Sequence, residues 1–204
     1  MILGLDRHPA ARCFVEIDEA VRQLRGADDV VFNAHAFPEE IPKGAVVFNL
    51  EGVGTNAVTS KSFPDNDVWD FSAVNCERWK AGGRHDVKHV PLGYHESLRR
   101  LEYVGGDRVL HFGLMNDRRN CVVQALAASG HTIDWANGIY GEPLYRLLAK
   151  CKAVVNWRYY PDGPYPSLRA LLCCVNLVPV WSEPCDDAPE WVHGSAIPMM
   201  ELPS

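Results

Sequence analysis

The sequence predicts an α/β protein made of two small halves, each a parallel sheet with helices packed on it. Three observations predict this. Short apolar strands are separated by gaps of helical length. A charged, glycine-rich break, RRLEYVGGD at 99–107, is followed by a fresh start of the same pattern. Polar residues or glycine directly follow the strands, where open parallel sheets keep their ligand-binding groups. A chain of 204 residues is one large domain or two small ones. The break divides it into a first half, 1–98, a linker, 99–107, and a second half, 108–204.

In the first half, FVEIDEAVRQLR (14–25) places Phe14, Ile17, Val21 and Leu24 on one helical face. Gly26 and two aspartates end it, and VVFNAHA reads as a short strand. After the loop FPEEIPKG comes the strand AVVFNLEG (45–52). NDVWDFSA (66–73) is a third strand, followed by helix-like VNCERWKAGG. HDVKHVPLGY (85–94) is a fourth, closed by Pro91 and Gly93. In the second half, DRVLHFG (107–113) is a strand and RRNCVVQALAASG a helix ended by Gly130. HTIDWAN (131–137) and KAVVNWRYY (152–160) are strands flanking the helix EPLYRLLAK (142–150). PSLRALLCC (166–174) is a helix with Pro166 near its start, and NLVPVWSE (176–183) is the last strand. The tail after it is proline-rich and reads as irregular.

Hydrophobic residues make up 47% of the chain, ample for a core in each half. The formal net charge is -6, which disfavours non-specific binding to nucleic acid or acidic membranes while leaving room for a local basic patch. No apolar run approaches the ~18 residues of a membrane span. The start, MILGLDRHPAARCF, lacks the pattern of a secretory signal. Seven cysteines without CxxC or zinc spacing read as reduced, mostly buried thiols, so the expected location is cytoplasmic. His8, His35, His85, His131 and His193 have no spacing that implies a metal site. There is no G-x-G-x-x-G after an early strand and no P-loop.

Four constellations carry chemistry. His111–Arg119 runs from a strand through Gly113 and Asn116 to Arg118 and Arg119 at a helix start. Glycine lets an anion approach the backbone, the helix start offers free N–H groups, and guanidinium forks grip phosphate. Cations oppose the helix dipole there, a conflict that an anion resolves. The bland alternative is a solvated turn. Next, Asn156, Tyr159 and Tyr160 end a buried strand, either as a wall for a base or sugar or as a solvated aromatic edge. Third, Arg169 lies on an apolar helix and Glu183 at a strand end. They either pair with each other or, for Glu183, hold ribose hydroxyls. Fourth, Glu51 and His95 end strands of the first half, as a base facing a cleft or as structural groups.

Six segments in order extend this picture: VVFNLEG, DVWDFSAVNCERWK, HVPLGYHESL, VLHFGLMNDRRNCVVQALAASG, YGEPLYRLLAKCKAVVNWRYY and LRALLCCVNLVPVWSE. From about 45 to 183 the chain resembles bacterial and phage glycosyltransferase-like proteins of the two-Rossmann-domain (GT-B) architecture, as a minimal or truncated member. The resemblance implies two Rossmann-like halves facing a cleft, a nucleoside-diphosphate sugar as donor and no cofactor. It implies that Gly113, Asn116, Arg118 and Arg119 face the donor diphosphate, that Asn156, Tyr159 and Tyr160 floor the site, and that Arg169 and Glu183 form its far wall. Two positions depart from the pattern: Arg158 stands where a histidine is expected, and 165–169 lacks an acid. The expected reaction is metal-independent transfer of the sugar to a hydroxyl acceptor, with Glu51 or His95 as base. The acceptor is open, and nucleic acid is possible but not favoured. The alternatives are a non-catalytic nucleotide or nucleotide-sugar binding module and a structural or regulatory protein on the same fold. A homodimer through Leu168, Leu171 and Leu172 or through the tail is a further expectation.

Overall fold

The computed structural model describes residues 1–25, 29–55, 57–189 and 191–192. The chain forms two compact units, Met1–Ser97 and Leu98–Ser204. Each holds one four-stranded, fully parallel sheet with helices, which is the expected α/β architecture. No helix among the described residues is long and apolar enough to cross a membrane.

In the first unit, strands β1 (Val30–Val31), β2 (Val46–Asn49), β3 (Asp67–Asp70) and β4 (Lys88–His89) lie side by side in chain order. Their period-two patterning gives two apolar faces. Val31, Val47 and Val68 are in register and pack with Trp79 of helix α2 (Ala73–Ala81). On the alternate positions, the rings of Phe14, Phe32, Phe48 and Trp69 form a chain with centroids 5.6–6.3 Å apart. Phe14 leads directly into helix α1 (Val15–Arg25), whose Ile17 and Ala20 are buried.

Two strands are shorter than their sequence runs suggest, for local reasons. VVFNAHA stops pairing at Phe32 because Asn33 takes a left-handed φ of 60° and a 3-10 turn follows. HDVKHVPLGY pairs only at Lys88–His89; the Val90 N–H still reaches the Asp70 carbonyl, and Pro91 has no N–H to continue. The structure also supplies a leading edge that periodicity does not reveal. Ile2 bridges Phe32 in parallel before the chain enters α1. The expected helix break at Gly26 and Asp28 lies outside the described residues, as does the tail from His193 onward.

In the second unit the strands are β5 (Val109–Phe112), β6 (Ile133–Ala136), β7 (Ala153–Asn156) and β8 (Val180–Ser182), in the order β6-β5-β7-β8. Helices α3 (Asp117–Ala128), α4 (Glu142–Ala149) and α5 (Ser167–Val175) make the crossovers. Leu110, Val154 and Val180 share one register row and are buried with Leu144, Leu148 and Cys173. Leu171 is buried, and Leu172 packs against this same core. The segment 99–107 has no helix or strand and is fastened to the second unit. Asn176 Oδ1 accepts from the Arg100 and Leu101 N–H groups at 2.8 and 3.1 Å, and Val104 N–H donates to Ala149 O. All seven cysteines are free thiols.

The chain turns back on itself between β6 and β7, so the switch point of the sheet lies between β5 and β7. Those two central strands pair only at Val109–Ala153 and Leu110–Val154. Beyond that, β5 stays with β6 as far as Phe112, and β7 stays with β8 as far as Asn156. The sheet therefore parts at the ends of its central strands. His111 Nδ1 donates to Val155 O at 3.0 Å where ladder bonds between β5 and β7 have ceased.

In the first unit the strand ends are locked instead by Asp70, which is fully buried. It accepts from Asn49 Nδ2 (2.7 Å), Trp79 Nε1 (2.9 Å), the Ser72 N–H (2.9 Å) and Asn75 Nδ2 (3.1 Å). Asp70→Ala leaves several buried donors without an acceptor. It is expected to lower stability by about 2–4 kcal/mol, read as a lower urea midpoint by tryptophan fluorescence.

Candidate functional site

The loops after β5 and β7 carry most of the predicted residues. Asn116 caps α3: its Oδ1 accepts from the Arg119 N–H at 3.0 Å. Its Nδ2 donates to Tyr159 O at 2.6 Å, which ties the two loops together. Gly113 is the tight point between them, with φ +116°, and a Cβ there would lie 2.7 Å from Arg169 Nη2. Only glycine combines that backbone with that approach.

Two guanidiniums converge beside Gly113. Arg119 is buried, and donates to Leu114 O, to Trp157 O at 2.6 Å and to Arg158 O at 3.4 Å. Its Cζ lies 5.2 Å from the Tyr159 ring centroid. Arg169 is half-buried; its Nη1 donates to Asn156 Oδ1 at 3.0 Å and to Trp157 O at 3.2 Å. Neither has a carboxylate at salt-bridge distance among the described residues. Burial, reinforced by neighbouring arginines, lowers Arg119 to about 10 and Arg169 to about 9.

A second pair sits on Glu183. Arg118 forks onto this carboxylate, and its Nη1 also donates to Arg158 O at 3.0 Å. The Arg158 N–H donates to Glu183 Oε1, and Arg158 Nε lies 3.3 Å from the same oxygen. Glu183 therefore pairs with Arg118 and Arg158, and Arg169 pairs with Asn156 rather than with Glu183. Asn156 also donates from Nδ2 to Ser182 Oγ at 2.9 Å. Tyr159 and Tyr160 meet edge to face at 4.9 Å, with Tyr160 largely exposed.

Three nearby residues were given no role by the sequence. Trp135 on β6 is exposed, and its Nε1 donates to Gly113 O at 2.7 Å. His111 is fully buried and stacks on Trp157 at 5.4 Å. Burial, with Arg169 and Arg119 nearby, pushes it down to about 3, so the imidazole is neutral. Arg158 was visible as a departure, but its ion pair with Glu183 spans 25 positions and depends on β7–β8 pairing.

In the first unit, Glu51 and His95 are set by separate local networks. The Glu51 backbone is held by Asn49 Nδ2 and Asn75 Nδ2, which both donate to its carbonyl at 2.9 and 2.8 Å. Its side chain, 44% accessible, lines a shallow open indentation with Phe14, Asn33, His35 and Phe63. Burial pushes Glu51 up to about 7, although water reaching the side chain moderates the effect. His35 Nε2 lies 3.9 Å away, but burial lowers its pKa, so it offers little cationic charge to Glu51. His95 Nδ1 accepts from the Ser97 N–H at 3.2 Å and lies 2.9 Å from Ser97 Oγ. No group of three or more His, Cys, Asp or Glu suited to a metal ion occurs among the described residues.

No family model matches the chain, and no curated protein matches it. Solved structures do match, among them AviGT4, a glycosyltransferase involved in avilamycin A biosynthesis. It aligns at 17% identity and a TM-score of 0.49, covering 82% of this chain and 59% of that one. The chain thus spans about three-fifths of that structure's length.

Gly113→Ala is expected to cost about 1–3 kcal/mol through the strained φ and the approach to Arg169, measured as a loss in thermal midpoint. A second expectation concerns pH. Between 4.5 and about 7 the folded chain retains a proton on Glu51 that the unfolded chain releases. Stability from this group therefore falls as pH rises through that window. Glu51→Gln removes the effect, so its urea midpoint gains on the parent's from pH 4.5 to 7 and runs parallel above it.

Proposed function

We propose that the protein is a glycosyltransferase that moves a sugar from a nucleoside-diphosphate donor, held at the strand ends of the second unit, to a hydroxyl acceptor. The observation that carries this reading is the Arg119–Arg169 pair. Two guanidiniums share the mouth of the switch point with only neutral oxygens as partners. Buried cations without counter-charge are costly, and an anion at that place relieves the cost. The nine-residue stretch from His111 to Arg119 adds the start of α3, whose free N–H groups and dipole favour a phosphate.

In the reaction, the acceptor oxygen bonds to the anomeric carbon as the bond from that carbon to the diphosphate oxygen breaks. The electron pair leaves with the diphosphate, where Arg119, Arg169 and the α3 N–H groups stabilise the growing charge. The acceptor proton passes to a base, and Glu51 is our assignment because burial raises its proton affinity toward neutral pH. His95 is the second choice.

Purified protein screened by thermal shift against UDP, GDP, CDP, dTDP and ADP is expected to respond to at least one. At a hundredfold excess over Kd, a ligand specific for the folded state adds about 2.7 kcal/mol. Arg169→Gln is expected to abolish that response. If none of the five stabilises the chain, the donor-site reading fails. Binding without sugar transfer to any acceptor would leave a nucleotide-binding module.

A further inference from the structure

The four guanidiniums at the strand ends are not equivalent. We infer that Glu183 is an internal counter-ion for Arg118 and Arg158 rather than a ligand for ribose, so that, of the four guanidiniums, Arg169 grips the phosphates and Arg119 adds its uncompensated charge. This rests on the donor-site reading above.

Glu183 follows β8 directly, and only 4% of its side chain is accessible. Four N–H groups approach its two oxygens: both Nη of Arg118, and the backbone N–H and Nε of Arg158. Three of these are hydrogen bonds and the fourth, from Arg158 Nε, adds charge without one, so a buried carboxylate is matched to two cations with little of it left for a diol. A ribose diol would have to displace a guanidinium. That exchange replaces a charge-assisted bond with a neutral one and strands a partly buried cation. Arg118 is closed in the same way, because its Nη1 also donates to Arg158 O. Neither member of the pair is spare.

Arg119 and Arg169 present the opposite case. Their partners are the carbonyls of Leu114, Trp157 and Arg158 and the amide oxygen of Asn156. Neutral oxygens satisfy N–H groups without cancelling charge. In Arg169, both hydrogen bonds use Nη1. Among the described residues, Nε is buried without a partner and Nη2 makes no hydrogen bond, with Gly113 against it. Nε and Nη2 form one edge of the guanidinium, the edge that grips an oxyanion with two parallel bonds. Glu183 is close enough to act electrostatically on Arg119. Its charge therefore also weakens anion binding next door.

Calorimetric titration of the full chain with inorganic pyrophosphate, and with UDP, ADP and GDP beside their 2′-deoxy forms, tests this. In the parent, and in Glu183→Gln, the ribo and deoxy forms are expected to bind within about threefold of each other. Glu183→Gln is expected to bind pyrophosphate several-fold more tightly at low salt, since one negative charge is removed. Arg169→Gln is expected to lose at least about tenfold for pyrophosphate and nucleotide alike, against no more than about threefold for Arg118→Gln. Two results overturn the inference. One is a tenfold loss for ribonucleotides alone in Glu183→Gln, which makes Glu183 a ribose ligand. The other is a matching loss of pyrophosphate binding in Glu183→Gln or Arg118→Gln, which puts Arg118 on phosphate. If Glu183→Gln does not fold, the comparison of Arg118→Gln with Arg169→Gln decides. A parent that binds neither pyrophosphate nor any nucleotide overturns the donor-site reading itself, and the inference with it.

Discussion

The parting of β5 and β7 after two residue pairs is the constraint on which the second unit depends. A parallel strand that loses its neighbour exposes carbonyls that must find donors or water. Here Val155 O takes the His111 imidazole, Trp157 O takes Arg119 and Arg169, and Arg158 O takes Arg118 and Arg119. Arginine suits this task because its five N–H groups reach several carbonyls from one planar head. The result is an accumulation of positive charge for a reason that begins in backbone hydrogen bonding. Glycine at 113 and the Asn116 cap follow from it, since both loops must close over the same guanidiniums.

The first unit solves the corresponding problem with the opposite sign. Asp70 sits at the end of β3, and its donors are the neutral groups of Asn49, Asn75, Trp79 and Ser72. Burial outweighs those four donors and pushes its carboxyl up to about 6. Its donors Asn49 and Asn75 also hold the Glu51 carbonyl, so this hub fixes where the Glu51 side chain leaves the sheet. Rigid strand ends and a half-buried carboxyl group are thus linked through two asparagines. Both units place a charged group at the carboxyl edge of a parallel sheet, one cationic and one anionic.

The helices and both parallel sheets were legible because period-two and helical spacing are local properties of the chain. The positions that follow the strands were legible for the same reason, so Gly113, Asn116, Arg119 and Glu51 stood out. Partnerships were not. The fork from Arg118 to Glu183 joins residues 65 positions apart, and the tie from Asn116 to Tyr159 spans 43. Both depend on strand order, which periodicity does not encode. The strand-like edge at Ile2 is too short to show any period, and Asp70 lies inside the run read as the third strand, with nothing local to mark it as a buried hub. Trp135 was hidden because an aromatic on a strand is ordinarily core, whereas here it reaches from the edge strand β6 to Gly113 O.

What keeps the strand-end cluster cationic is the character of the residues packed beneath it. His111 lies fully buried under Arg119 and Arg169, and a carboxylate there would quench both. Its Nδ1 proton is committed to Val155 O, which leaves Nε2 as an acceptor without a partner among the described residues. A neutral imidazole therefore supplies one hydrogen bond to the parted strands and no charge. Trp157, stacked on it, adds an apolar plane and a backbone carbonyl for both guanidiniums. Asn156 does the same with an amide, satisfying Arg169 without neutralising it. Each of these choices meets the geometric demand of the opened sheet while leaving its charge uncompensated.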